Sequence, residues 1–494
     1  MQTRLEMTLA SPVGASKWRP FFPVLVLAVS AVLMLAATRG DLAIDEVVSL
    51  NKALSSPNWL AIFTQDQNDN NHLLNTLFLR LLGEQRQLFI YRLPAAIFGI
   101  GMVAVLLVAA RRLGQATPVW AACFAGLSYP VILYGSEARG YAPAMFFAVA
   151  AFELLPQCRA HCSPAKLLLF WLSLGLGLLS HFSFLMVCFA LGSWTLVQDR
   201  LAGFSFPSIL SNVLKYFGPP VVFLAGVYLI YIRHMIILGG LVQSWWTVIP
   251  ETVGYALGFA DPGGIRLVAV ILASVLAGSG LWLLFRQKRD EWIFFALILL
   301  VSPALVLILW QPKFLYFRYF SVCFPFFYLL LAVLFDHWFR HAGKLKFIPV
   351  LLLLAITTGH LVKVDNLLRL GRGNYRAALR DLAAATPGPV IRVGSDNDFK
   401  NRTLLAFYAR FLPPGKSIEY IPQERRAREK PDWIILYCLD TTFPAYPDVE
   451  VGQVGKYLLF GTYPYCGSSG WSWFVYYRPA ETVPVKNGNV PTAP

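Results

Sequence analysis

The sequence predicts a polytopic α-helical membrane protein of about eleven spans, followed by an α/β domain outside the cytoplasm. Three observations predict it. Of 494 residues, 57% are hydrophobic and only 14% are charged, against roughly 25% charged in a soluble domain. The apolar residues come in long runs, such as FFPVLVLAVSAVLMLAA from Phe21 and WIFFALILLVSPALVLILW from Trp292. Such runs are long enough, or nearly so, to cross ~30 Å of hydrocarbon, where a backbone must satisfy its own hydrogen bonds and so is helical. After Gly373 the pattern changes to short strand-like runs alternating with amphipathic segments.

Spans fall near 21–38, 88–110, 117–134, 138–155, 166–180, 182–197, 216–233, 264–285, 292–310, 316–335 and 346–363. The first has Lys17 and Arg19 before it, like a signal peptide, but no small-residue cleavage site, so it reads as an uncleaved helix. With residues 1–20 in the cytoplasm, the inner loops hold Arg111 and Arg112; Arg159 and Lys166; Arg200 and Lys215; Arg286, Lys288 and Arg289; and Arg340, Lys344 and Lys346. Every one is short and basic, as the positive-inside rule expects, and omitting one span would break the agreement. The net charge of +15 is therefore spread among loops, which argues against nucleic acid as a partner.

The membrane domain covers 21–365, with a first outer loop at 39–87 and another near 234–263. In the first loop SLNKALSSPNWLAIFTQ and NNHLLNTLFLRLLG mix apolar and polar residues at helical spacing, the pattern of helices lying at the membrane surface. A structured loop of this length is more often functional than decorative. In the outer domain, 366–482, NYRAALRDLAAATPG and NRTLLAFYARFL read as helices, and VIRVGS, SIEYIP and DWIILYCL as strands. The tail 483–494 reads as disordered. Asn401-Arg402-Thr403 is a glycosylation sequon in form, but its plain reading is a helix start. Of seven cysteines none forms a CxxC or Cys/His pattern; Cys438 and Cys466 are open to pairing or to remaining thiols.

Charges beside apolar spans are costly and mark function by default. Asp45 and Glu46 follow the first span; a carboxylate there can serve as general base, or both can simply favour a helix N-terminus. Glu137 and Arg139, in YGSEARGY, either close the turn between two spans as an ion pair or add a second carboxylate and a guanidinium to one cavity. Arg318 lies in the aromatic start of a span, with Lys313 before it; it either grips a lipid phosphate or snorkels to the interface. Arg92 is a phosphate contact or a helix-end anchor. His72 and His181 are hydrogen-bonding groups at the boundary rather than members of any metal-ligand spacing. The topology puts all of these on the outer side, where unrelated charges would scatter over both.

At these residues the sequence resembles the GT-C glycosyltransferases of the protein O-mannosyltransferase and lipid A aminoarabinose transferase type. The resemblance runs through 20–365: Asp45-Glu46, Asn71-His72, Arg92-Leu93-Pro94, Glu137-Ala138-Arg139-Gly140-Tyr141, Ser180-His181-Phe182 and Arg318-Tyr319. Order and placement carry it more than any one motif. It implies the GT-C fold in a bacterial inner membrane and a polyprenyl-phosphate sugar as donor. The acceptor would be an extracytoplasmic glycan, lipid or protein, and transfer would invert the anomeric centre. Asp45 would be the base, with Glu46 and Glu137 the other catalytic carboxylates. Arg318 would hold the donor phosphate with Arg92, Arg139 and Lys313, and His72, His181, Tyr141 and Tyr319 would line the cavity. No cofactor or metal is expected. Asn71-His72-Leu73 departs from the family's usual His-Pro-Pro. The rival readings are a transporter or flippase for lipid-linked glycans, a glycan polymerase or ligase, and an inert scaffold. A transporter would place charges at the midplane and show repeats, which the sequence does not.

Overall fold

The computed structural model describes residues 21–237, 239–240, 242–259, 262–312 and 314–479. Eight helices in it are long and apolar enough to cross a membrane: those within Leu88–Leu113, Tyr141–Ala160, Phe182–Leu201, Phe206–His234, Leu267–Arg286, Glu291–Leu309, Phe317–His341 and Gly343–Ala385. The shorter helices Phe21–Ala37 and Pro164–Ser180, and the pair Thr117–Gly126 and Tyr129–Tyr134, occupy the other three expected positions. The span Phe317–His341 runs through the middle of the bundle and is almost wholly buried, whereas Phe206–His234 lies at the edge and is largely exposed. The last long helix continues to Leu370, so the expected boundary at 365 falls inside it.

Residues expected in separate inner loops meet at one end of the bundle. Arg112 bonds Glu153 at 3.3 Å and Glu291 at 3.0 Å, and Arg289 joins Glu291 at 3.1 Å. Arg159 pairs with Asp199 at 2.5 Å, and Arg340 with Asp336 at 2.5 Å. These partners shield the helix ends without approaching the carboxylates of the first loop.

At the other end the chain after Gly373 folds into a six-stranded mixed sheet. Its strands are β1 (Val390–Ser395), β2 (Ser417–Tyr420), β3 (Trp433–Cys438), β4 (Asp448–Val451), β5 (Gly455–Tyr463) and β6 (Ser472–Tyr477), in the order β2-β1-β3-β6-β5-β4. β1 runs parallel to β2 and β3, while β6, β5 and β4 continue the sheet antiparallel. The three strands and two helices expected from sequence are all present; β4, β5 and β6 were not individually expected. Cys438 and Cys466 are free thiols. Asn401 is fully buried, its amide held by Asp396 at 3.2 Å and its carbonyl by the Trp473 indole at 2.8 Å, so the sequon is inaccessible.

The first loop differs from expectation in an instructive way. Its helix Ile44–Ser55 presents Ile44, Val47, Leu50 and Ala53 on one face at helical spacing. That face does not lie on a membrane surface. It is buried in a core shared with Leu379, Leu404, Tyr408 and Trp473 of the terminal domain. Trp59, Leu60 and Leu81 remain outward-facing. Asp41 accepts the Arg376 backbone N–H at 2.8 Å and the Arg376 guanidinium, and Tyr408 Oη donates to the Leu42 carbonyl at 2.9 Å. Loop and domain are one packed unit.

Candidate active site

The helix Ile44–Ser55 starts where Glu46 turns back to accept the Ala43 N–H at 2.8 Å, half of a capping box. The rest of the Glu46 carboxylate is occupied too. Arg92 Nε donates to Oε1 at 2.7 Å and Nη2 to Oε2 at 2.6 Å, while the Ala138 N–H reaches Oε1 at 2.8 Å. Arg92 uses its remaining donors on the carbonyls of Thr38 at 3.0 Å, Arg39 at 3.2 Å and Asp41 at 2.7 Å. A guanidinium has five N–H donors, and all five are engaged. Both side chains are fully buried. Burial alone would raise the Glu46 carboxyl; Arg92 reverses that and holds it below the usual range. Glu46 and Arg92 were expected as a catalytic carboxylate and a phosphate contact. The structure instead makes them a closed strut joining the first span, the first loop and the turn at Ala138.

With Glu46 locked inward, its neighbour Asp45 faces the opposite way, as adjacent helical residues about 100° apart must. Asp45 Oδ2 lies 2.9 Å from Arg318 Nη1 and 3.6 Å from Arg139 Nη1. Residues 273 apart in sequence thus meet directly. The pair is not sealed: the side chains are 30% and 27% exposed. Burial would raise the Asp45 carboxyl, but Arg139 and Arg318 outweigh it and hold it low, so Asp45 is a carboxylate.

Arg139 links this pair to the histidines. Its Nη1 donates to Asn70 Oδ1 at 2.5 Å, and its Nη2 lies 3.1 Å from His72 Nε2. His72 Nδ1 accepts the Gly140 N–H at 2.7 Å. Donors therefore face both ring nitrogens, a setting hostile to a proton. Burial, Arg139, His181 and Arg318 together hold His72 well below its ordinary value, and burial with the two arginines brings His181 down to about 3. Both imidazoles are neutral. Gly140 makes the contact possible, since a Cβ there would strike the Ser180 carbonyl and sit 2.7 Å from His72 Nδ1.

The four residues expected to line the cavity form one aromatic cluster. His72 packs edge-on to Tyr141 at 5.0 Å and to His181 at 4.8 Å, and His181 lies 6.1 Å from Tyr319. His72, His181 and Tyr319 form part of the polar end of a cavity of about 520 Å³, together with Asp69 and Asn71. Most of the remaining wall is apolar, including Leu178, Leu185, Met186, Phe189, Leu305 and Val306, with Ser180, Ser183, Ser302 and Gln311 interspersed. A mainly apolar cavity with a few polar groups is the usual make-up of a small-molecule site.

Glu137 is buried, and its carboxylate makes no hydrogen bond or ion pair among the described residues. Burial raises it, Arg372 lowers it and Glu46 raises it again, for a net upward shift. The contact expected between Glu137 and Arg139 as an ion pair is not made. Lys313, expected to help hold the phosphate, lies outside the described residues. Among the described residues no three His, Cys, Asp or Glu groups gather in metal-binding geometry.

Several functional side chains escaped the sequence reading. Arg372 is buried and braces the carbonyls of Ala37 at 3.2 Å and Leu133 at 2.8 Å, with Ser136 Oγ at 3.0 Å. Asn70 and Tyr134 also join the site. A signal for Arg372 existed: like Arg318, it is a charge at the end of an apolar span. Four buried donors, Arg139 Nε, Arg318 Nε, Tyr134 Oη and Tyr141 Oη, have no partner among the described residues. Buried polar groups are normally satisfied, so a cluster of open donors beside this cavity suits an oxygen-rich anion.

A bundle of membrane helices, a structured first outer loop bearing the carboxylate, and a C-terminal domain seated on that loop define the GT-C architecture, and this chain has that fold. Among solved structures it is similar to ArnT from Cupriavidus metallidurans in the apo state, with a TM-score of 0.54 and 13% identity over 92% of this chain and 98% of that one. ArnT from the same organism bound to undecaprenyl phosphate gives 0.50 and 15% identity over 94% and 98%. The archaeal oligosaccharyltransferase AglB from Archaeoglobus fulgidus, in complex with an inhibitory peptide and a dolichol-phosphate, gives 0.46 and 11% over 85% and 70%. No protein-family model and no curated protein matches the sequence.

Proposed function

We propose that this protein is a membrane glycosyltransferase that moves a sugar from a polyprenyl-phosphate carrier to an extracytoplasmic acceptor, in a bacterial inner membrane with its N-terminus cytoplasmic. The observation that carries the reading is the Asp45 carboxylate held against Arg318 and Arg139, near a mainly apolar cavity that His72, His181 and Tyr319 help to line. A similar fold binding undecaprenyl phosphate supports it.

In this reading the donor's isoprenoid lies in the cavity and its phosphate meets Arg318 and Arg139. The phosphate displaces Asp45 from Arg318, which frees the carboxylate and raises its basicity by removing a counter-charge. An acceptor hydroxyl or amine attacks the anomeric carbon, and Asp45 takes its proton. The C1–O bond breaks, its electrons stay on the lipid phosphate, and the two guanidiniums stabilise the charge. One displacement inverts the anomeric centre. Glu46, Arg92 and Arg372 position these groups without touching substrate. His72, whose two ring nitrogens are taken by Arg139 and Gly140, positions Arg139, and neutral His181, whose Nδ1 is held by Ser183, offers its Nε2 to the headgroup.

The test is to incubate purified protein with labelled undecaprenyl-phosphate sugars and candidate acceptors. Wild type is expected to release undecaprenyl phosphate in step with product, and Arg318→Ala to lose donor binding. A protein that moves the lipid-linked sugar across a vesicle bilayer intact, with no release of the carrier, is a flippase and refutes the proposal.

A further inference from the structure

Arg318 stands where the chain has little backbone support. It is the second residue of the short helix Phe317–Cys323, and Tyr316 before it is extended, with φ −136° and ψ 148°. The first N–H groups of a helix have no partner within it, so the backbone alone does not fix where this guanidinium sits. Side-chain packing does. The Arg318 guanidinium lies 4.5 Å from the Tyr316 ring centroid, and a Cβ at Gly240 of the second outer loop would strike the Tyr316 hydroxyl. Phe317, on the other side of Tyr316, is stacked on Tyr255, with centroids 4.4 Å apart and planes at 21°. Both rings are buried.

Tyr255 comes from the helix Trp245–Ala256 of that same loop, which the scheme above does not use. Three further contacts hold its ring. It stacks on Tyr129 at 5.9 Å and 24°, and the Lys363 ammonium of the last span lies 4.6 Å from its centroid. Its hydroxyl shares a hydrogen bond of 2.9 Å with Ser468 Oγ, in the terminal-domain segment between β5 and β6. Just beyond the helix, Gly258 approaches the last span so closely that a Cβ would stand 2.6 Å from the Ile356 carbonyl, and its φ of +76° also favours glycine. Tyr255 is thus held by the last span and the terminal domain, and Phe317 is held by Tyr255. Aromatic pairs have preferred relative geometries, so a fixed Tyr255 fixes the Phe317 ring and with it the backbone at Arg318.

We infer that Tyr255 is a positioning residue of the proposed transferase: through Phe317 it sets the place of Arg318, and so the affinity for the donor phosphate. The inference rests on the transferase reading, in which Arg318 meets that phosphate. Tyr255 acts through its neighbour and not by touching substrate. A guanidinium that must be held within roughly 0.5 Å of its working position is in this way tied to the seat of the terminal domain.

The experiment compares two lipids with the same tail, undecaprenyl phosphate and undecaprenol, by equilibrium binding to the full-length protein in detergent. Tyr255→Met fills the space without a flat face, and Phe317→Leu removes the same stack from the other side. Each is expected to weaken undecaprenyl phosphate binding about tenfold, the size of one charge-assisted hydrogen bond, and to leave undecaprenol binding unchanged. Tyr255→Phe keeps the stack, loses only the Ser468 bond, and is expected to bind both lipids as wild type does. If one of the first two variants does not fold, the other gives the same reading; if neither folds, Tyr255 serves folding and the inference falls. Unchanged undecaprenyl phosphate affinity, or an equal loss for both lipids, overturns the inference and leaves the transferase reading intact. A wild type that binds undecaprenyl phosphate no better than undecaprenol refutes the transferase reading, and the inference with it.

Discussion

Replacing Asp45 by Asn removes one negative charge and leaves the shape of the side chain nearly unchanged. In the structure that charge occupies Arg318 at 2.9 Å and touches Arg139 at 3.6 Å. A donor phosphate must compete with it. Two unit charges about 4 Å apart attract by about 4 kcal/mol at an effective dielectric of 20 and by about 1 kcal/mol in water. With side chains 30% and 27% exposed, the pair sits nearer the watery limit. A competition term of about 1.4 kcal/mol, a factor of ten in affinity, is a reasonable expectation. Asp45→Asn should therefore bind undecaprenyl phosphate about tenfold more tightly. Turnover should move the other way, falling by about 10²–10⁴, the usual contribution of a general base. Equilibrium binding of labelled undecaprenyl phosphate in detergent and product formation from labelled donor measure the two quantities separately. Weaker lipid-phosphate binding in the variant refutes the competition, and turnover near wild type refutes the base. A merely structural role for Asp45 would lower both together.

Arg92→Met leaves Glu46 buried without its counter-charge, which costs about 3–5 kcal/mol; the thermal midpoint in detergent should drop sharply, and adding Glu46→Gln should restore part of it. Gly140→Ala drives a methyl group into the Ser180 carbonyl and His72, so folded yield should collapse, whereas Gly192→Ala, in open space, should be neutral by the same measurement. Glu137 has a folded-state value raised above 4.5, so the stability it contributes is complete below that value and is lost as pH rises through the folded one. Glu137→Gln should thus have a higher thermal midpoint than wild type at pH 7, with the gap closing toward pH 4. Because His72 and His181 are both held well below ordinary histidine values, their ring protons should show no NMR titration between pH 5 and pH 8.

Much of this site was readable because membrane topology sorts residues by face. Asp45, Arg139, His72, His181 and Arg318 were each ambiguous alone, but basic inner loops fixed which end each belonged to, and charges at the end of apolar spans have few places to go. Topology does not say which charge pairs with which. Asp45 and Glu46 look equivalent as letters; only the turn at Ala43 and the approach of Ala138 decide that Glu46 points in and Asp45 out. Arg92 looked like Arg318 for the same reason, although five protein acceptors consume its donors. The first-loop helices showed the right period, but period cannot distinguish a membrane surface from a covering domain. Arg376 and Tyr408 lie in ordinary amphipathic helices, and nothing local marks them. Their roles arise from packing more than 300 residues away in the chain, between Leu42 and Tyr408 and between Asp41 and Arg376.

That long-range packing bears on why a small α/β domain is attached to a membrane bundle at all. A general base must be held within roughly 0.5 Å of its working position, and a loop between two spans has no such rigidity by itself. Here the helix bearing Asp45, the proposed base, is clamped on two sides. From below, Arg92 ties Glu46 to the carbonyls that follow the first span. From above, Leu404, Tyr408 and Trp473 bury its apolar face, and Arg376 holds Asp41 at its entry. Asp45 projects from between the clamps toward the one direction left open, where Arg318 stands. The domain that buries the apolar face of this helix therefore also fixes the direction in which Asp45 points. For the proposed transferase this means that loosening the domain, for example by Arg376→Ala at the Asp41 contact, should lower turnover through a misplaced Asp45 even though no residue facing Arg318 has been changed.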